Sequence, residues 1–287
     1  MNKTLRSKGV AICLWLGALI ACGWEASRNP SSRAFASAPS CPSEMAFYGG
    51  VCIDRYEVHA VDKKTRLPLS PFYPPERVLL QKVYRYWSSE ASRTGSERAR
   101  QQRLPPVPAH QRKPFEPLAV SAPGKLPQGY FTYYSAKKAC HNAGKRLCSE
   151  REWVAACKGT RRSQHPYGQD YRKGVCNVFR PLHPAYELHG NSSLGHLDPR
   201  LHLVVEEGRD PLLRLSGASA GCVSQLDDDR IYDMEGNLDE WVDDPEGVFL
   251  GGFFSRPTKE GCEARVSSHS PLYTDYSLGV RCCQDPR

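Results

Sequence analysis

The sequence has little net charge, few methionines, no paired CxxC spacing, no internal repeat and no apolar run long enough to cross a bilayer. Residues 9–21 (GVAICLWLGALIA) are apolar over thirteen residues, where a membrane span needs about 20. A polytopic membrane protein is therefore excluded. The formal charge of +8 falls to +5 once residues 1–21, which hold Lys3, Arg6, Lys8 and no acid, are set aside. That balance is too mild for a nucleic-acid-binding protein. It is also local, because residues 85–113 carry seven basic and two acidic side chains and so account for the whole excess. Single, scattered cysteines argue against a four-cysteine zinc site. The apolar share of 40% and charged share of 24% exclude a disordered or collagen-like chain.

Cysteine is what the sequence has in quantity. Twelve of them beside 23 prolines and only 3 methionines point to folding outside the reducing cytosol. The amino terminus agrees. A basic start, a short apolar run and the ending Leu19-Ile20-Ala21-Cys22 read as a lipoprotein signal peptide over residues 1–21. Cleavage before Cys22 leaves a thiol to carry diacylglycerol, and two or more chains anchor stably to a membrane. Gly23 is not the aspartate that retains lipoproteins at the inner membrane, which favours a bacterial outer-membrane location. Residues 22–40, rich in Ser, Ala and Pro, read as a flexible tether. Ten cysteines remain in residues 41–287, an even number that suits five disulfides in an oxidising compartment. Proximity suggests Cys41 with Cys52, Cys157 with Cys176, and Cys262 with Cys282 or Cys283, although spacing alone does not fix connectivity.

Compact structure is expected from Cys41. MAFYGGVCIDRYEVHAVD alternates around Gly49-Gly50 like two paired strands. Pro68, Pro71, Pro74 and Pro75 then interrupt regular structure, and residues 85–128 read as a proline-rich, basic, flexible insertion. Ser135 is placed to cap a helix ending near Gly144, with KRLC as a short extended piece. Ser149 and Glu152 form the S-x-x-E pattern of a capping box for a second helix that sets Trp153 and Cys157 on one face. In IYDMEGNLDEWVDD (residues 231–244), Asp233, Asp239, Glu240, Asp243 and Asp244 crowd around a Gly236-Asn237 bend while Leu238 and Trp241 turn inward. Carboxylates at a bend are the oxygen donors that a hard cation such as calcium takes.

Taken together, GKRLCSEREWVAA, the Pro166-Tyr167-Gly168 block, Asn177, YDMEGNLDEW, Gly251-Gly252-Phe253 and the LGVRC block ending at Cys282 resemble the successive signature blocks of the formylglycine-generating enzyme, or sulfatase-modifying factor, family. The resemblance spans residues 41–287 apart from the insertion. It implies a single α+β domain, a loop-rich variant of the C-type lectin fold. It also implies calcium, with Asp233 and Glu240 ligating through side chains and Gly236 and Leu238 through carbonyls; a second site would begin at Asn177 and Val178.

Catalysis is a separate question from fold. Active members resemble one another in a C-x4-C pair that binds Cu(I), a soft ion that selects thiolates. Here Cys262 is the one cysteine after the Gly251-Gly252 block and before LGVRC, with Pro257 and Ser267 at the partner spacings, and Leu250 and Phe253 replace the family's Arg and Ser. Copper is therefore not expected, and Cys262 is a weak catalytic candidate. His183, His189, His196 and His202 offer a different metal chemistry without the spacing of a helix-borne site. They read as ordinary loop histidines, and His269 as an isolated candidate for a pocket. The expectation is an envelope-anchored, monomeric, non-catalytic scaffold, stabilised by calcium, that recognises a peptide, glycan or protein. The alternative is an oxidoreductase of the formylglycine-generating class or a related metal-dependent oxidase.

Overall fold

The computed structural model describes residues 40–206 and 210–287. The signal sequence, Cys22 and the tether up to residue 39 lie outside them. The Gly49-Gly50 pair, at φ 59° and 87°, closes the expected hairpin of β1 (Met45–Tyr48) and β2 (Val51–Asp54). Strand β3 (Val58–Asp62) pairs antiparallel with β4 (Pro117–Ser121). Between those two strands lie helices α1 (Arg77–Glu90) and α2 (Glu97–Gln101). This corrects the expectation of a flexible insertion. Leu80, Val83 and Trp87 fall on one face of α1 and are buried with Tyr73 and Val107. The arginines and prolines around them masked that spacing, and burying a helical stripe of this kind outweighs a polar composition.

The next elements are α3 (Tyr133–Asn142), β5 (Arg146–Leu147) and α4 (Glu150–Lys158). For α3 the cap is Thr132 rather than Ser135. Thr132 Oγ1 accepts from the Ser135 amide at 3.0 Å and Ser135 Oγ accepts from the Thr132 amide at 2.9 Å. The helix starts earlier because Tyr133 is buried in the core that holds Trp241. For α4 the expected capping box is present, with the Ser149 amide donating to Glu152 at 2.8 Å. Trp153 and Cys157 are buried on its inner face. A short helix α5 (Pro184–His189) precedes the ribbon of β6 (Val223–Leu226) and β7 (Asp229–Tyr232).

The chain closes with β8 (Asp239–Trp241), β9 (Phe249–Leu250), β10 (Arg265–Val266), β11 (Leu278–Val280) and β12 (Cys282–Gln284). One four-stranded sheet runs β1-β2-β12-β5 and the other β10-β9-β8-β11, in which β8 and β11 are parallel. The architecture is α+β with short elements and long loops.

All ten described cysteines are paired: Cys41–Cys52, Cys140–Cys282, Cys148–Cys283, Cys157–Cys262 and Cys176–Cys222. The first pairing is as expected. The expected Cys157–Cys176 bond and a bond from Cys262 to Cys282 or Cys283 are not formed. Proximity in sequence misleads here because β12 lies between β2 and β5, and neighbouring residues of a strand point to opposite faces. Cys282 therefore reaches α3 while Cys283 reaches Cys148 at the start of α4. The inner face of α4 is covered by the short turn at 261–263, which presents Cys262 to Cys157.

Candidate functional site

The bend between β7 and β8 organises the polar centre of the molecule. Gly236 has φ +81°, and a Cβ there would lie 2.3 Å from the Asn177 carbonyl oxygen, so only glycine fits. The Asn237 amide donates to that same carbonyl at 2.8 Å. Thus the structure brings Asn177 beside Gly236, Asn237 and Leu238, joining the two regions that the resemblance assigned to calcium, with Val178 packed against Gly236 and Gly252. Asn177 Nδ2 donates to Asn237 Oδ1 at 2.9 Å, and Asn237 Nδ2 donates to Glu57 Oε2 at 2.7 Å. Glu57 also accepts from the Leu238 amide at 3.2 Å.

Arg281, fully buried at the end of β11, answers these carboxylates. Its Nε and one terminal nitrogen donate to the two oxygens of Glu240 at 3.1 and 3.0 Å, and the other to the Asp54 carbonyl at 2.7 Å. Trp153 Nε1 donates to Glu240 Oε2 at 2.6 Å. The Asp233 carboxylate accepts from the Gly217 amide at 2.5 Å. Burial pushes Glu57 well above the usual carboxylate range, reinforced by Asp233 and Glu240, and pushes Asp233 up to about 6.

These contacts test the calcium assignment. Both oxygens of Glu240 are engaged by a guanidinium that already brings the positive charge, and Asp233 is turned to a backbone amide. The side-chain half of the implied donor set does not fit a calcium ion. Sequence reasoning missed Glu57 and Arg281. The available signal was an arginine inside the apolar run LGVRC, since a charge in a buried strand needs a partner.

Asp239, next to Glu240, faces the other way. It is fully buried, accepts from the Gly252 amide at 3.0 Å and from Arg256 at 2.5 Å. Burial raises it to about 7 against the pull of Arg256. The Arg256 guanidinium in turn lies 5.6 Å from the Phe253 ring centre and 5.9 Å from that of Phe249. On this side opens a cleft of about 690 Å³, lined by Lys173, Phe179, Arg180, His183, Phe253 and Arg256 among others. Arg180 is held from behind by Glu206 at 2.5 Å and Asp210 at 2.9 Å. The cleft thus presents cations and ring faces, with their acidic partners set back.

Cys262 is buried and its sulfur is bonded to that of Cys157. It holds no thiolate in this state. Three of the four clustered histidines gather near one ring without sharing a point. His183, His196 and His202 lie 6.3, 6.3 and 6.1 Å from the Tyr276 ring, yet their nitrogens engage the Tyr276 hydroxyl, the Ser192 carbonyl and the Tyr276 carbonyl respectively. His189 pairs with Asp198 at 3.0 Å. Burial lowers His202 to about 4. His269 stacks on Tyr273 at 4.0 Å, away from the cleft lining.

Residues 84–286 match the model of the sulfatase-modifying factor enzyme 1-like domain. No curated protein matches the sequence. Among solved structures, the chain is similar to CarF, at 13% identity and TM-score 0.40, covering 82% of this chain and 86% of that one. PvdO from Pseudomonas aeruginosa is similar at 15% identity and TM-score 0.38, covering 82% and 80%. The Major Tropism Determinant P3c variant follows at 14% identity and TM-score 0.39; 87% of this chain is covered but only 54% of that one. The match over residues 84–286 takes in every signature block from Gly144 to Cys282 and the last seven residues of α1, and on it the chain belongs to the family of sulfatase-modifying factor enzyme 1-like domains.

Proposed function

We propose that this protein is a non-catalytic recognition domain, tethered to the bacterial envelope through diacylglycerol on Cys22 and acting as a monomer at the outer membrane. Its ligand, a peptide, a glycan or a protein surface, lies in the cleft bounded by Phe179, His183, Phe253 and Arg256. One observation carries the reading: the single cysteine at the position of the copper pair is consumed in the Cys157–Cys262 disulfide. Cu(I) binding needs soft thiolates, and a disulfide sulfur is neither charged nor free. The reading requires no calcium, because Arg281 supplies the charge opposite Glu240.

Alkylation of the denatured, unreduced protein followed by intact mass tests this. We expect no adduct on any cysteine from Cys41 onward, and no formylglycine in a cysteine-containing sulfatase peptide incubated with the protein, Cu(I) and O₂. Two alkylated cysteines, one of them Cys262, together with turnover of the peptide would replace this reading with the oxidoreductase one. Binding itself is tested by screening peptide and glycan arrays. Hits lost in Phe253→Ala with unchanged melting temperature locate the ligand in the cleft.

A further inference from the structure

A second cleft, of about 450 Å³, is lined by three arginines, Arg161, Arg172 and Arg230, with the rings of Tyr167 and Tyr232 and with Gly217 and Gly221. It shares no residue with the cleft beside Phe253. All three arginines are exposed, none forms an ion pair among the described residues, and no acidic side chain lines the cleft. The nearest acid in sequence, Asp229, is taken by Arg55, one nitrogen donating to Oδ2 at 2.8 Å. Three like charges in one concavity repel one another until a counter-charge arrives.

The rings are fixed from behind. Tyr232 stacks on Tyr56 at 4.9 Å and Tyr167 on His165 at 5.2 Å. The Arg172 guanidinium lies 4.9 Å over the Tyr167 ring, which orients its planar fork. Guanidinium groups match oxyanions through paired donors. A Cβ at Gly217 would crowd Tyr56 at 3.0 Å and one at Gly221 would crowd Val175 at 3.1 Å, so both glycines let the cleft wall pack closely. Pro166, Ala220 and Val223 are the aliphatic lining residues. They form no deep apolar pocket for a peptide anchor, and no large exposed apolar side chain lines the cleft for insertion into lipid.

We infer that this cleft binds an oxyanion-bearing saccharide, with sulfate or phosphate on the three arginines and the sugar face against Tyr232. The site is independent of the cleft proposed for recognition above.

The test is a titration of the full-length protein in detergent with a sulfated oligosaccharide, its desulfated counterpart and inorganic sulfate, at low and physiological salt. The sulfated sugar is expected to bind at least tenfold more tightly than either control, to raise the melting temperature, and to weaken with salt. Arg161→Ala/Arg172→Ala/Arg230→Ala should abolish binding while keeping the unliganded melting temperature. Arg230→Glu alone should weaken it about tenfold or more, and Phe253→Ala should leave it unchanged. Equal binding by the triple variant would overturn the site. Inorganic sulfate binding as tightly as the sugar would overturn the saccharide, as would a polyglutamate peptide or phosphatidylglycerol vesicles binding better and losing that binding in the triple variant.

Discussion

The pair between Glu240 and Arg281 joins two signature blocks 41 positions apart, and both partners are buried. Removing one partner of such a pair strands the other charge, at a cost of about 3–5 kcal/mol. We expect Glu240→Gln to lower stability by that order equally in calcium and in chelator. A loss confined to calcium-containing buffer would reinstate Glu240 as a metal ligand. Asp239 makes a pH prediction. Its folded pKa of about 7 lies above its ordinary value of 3.8, so its contribution is fully present below pH 4 and is lost as pH rises through 7. His202 runs the other way: lowered to about 4 from 6.5, it contributes above pH 6.5 and loses that contribution as pH falls toward 4. Asp239→Asn should therefore remove the stabilising component of acidification and leave the His202 loss exposed, read as a steeper fall of melting temperature from pH 7 to pH 4 than in the parent protein.

At the scale of elements, local patterns were readable and remote ones were not. The Gly49-Gly50 hairpin and the Ser149/Glu152 capping box depend on residues within a few positions of one another, and both stand as expected. Helix α1 was missed because Leu80, Val83 and Trp87 are spaced among arginines whose composition suggested a solvated loop. Its burial against Tyr73 and Val107 involves a partner from beyond the helix on either side. Trp87→Ala should cost about 3–5 kcal/mol in chemical denaturation if α1 is a fixed part of the core. A change below 1 kcal/mol, within the range of ordinary surface substitutions, would mean that the insertion is dispensable. The candidate site divides in the same way. Asn177 and the Gly236–Glu240 bend were legible as motifs, whereas Glu57, Arg281 and Arg256 became site residues only through tertiary pairing. The disulfide connectivity was legible only where the loop is short, at Cys41–Cys52.

Across the whole molecule, the two clefts lie on a scaffold whose rigidity comes from covalent ties more than from long elements. Four of the five bonds join residues 46 to 142 positions apart. Ties of that reach restrict the unfolded chain most strongly, which suits a domain of short strands. The adjacent Cys282 and Cys283, pointing to opposite faces of β12, lock α3 and the start of α4 to the same strand. This gives the last strand a place in time as well as in space. On the export route proposed above, the thiols of Cys140 and Cys148 must wait, reduced, until the carboxyl end has crossed the membrane. For that interval each is the other's nearest available partner, only eight positions away. Maturation thus depends on an oxidant slow enough, or an isomerase active enough, to let the final strand arrive first, and a chain cut short at Arg281 would be left to join those two thiols to each other.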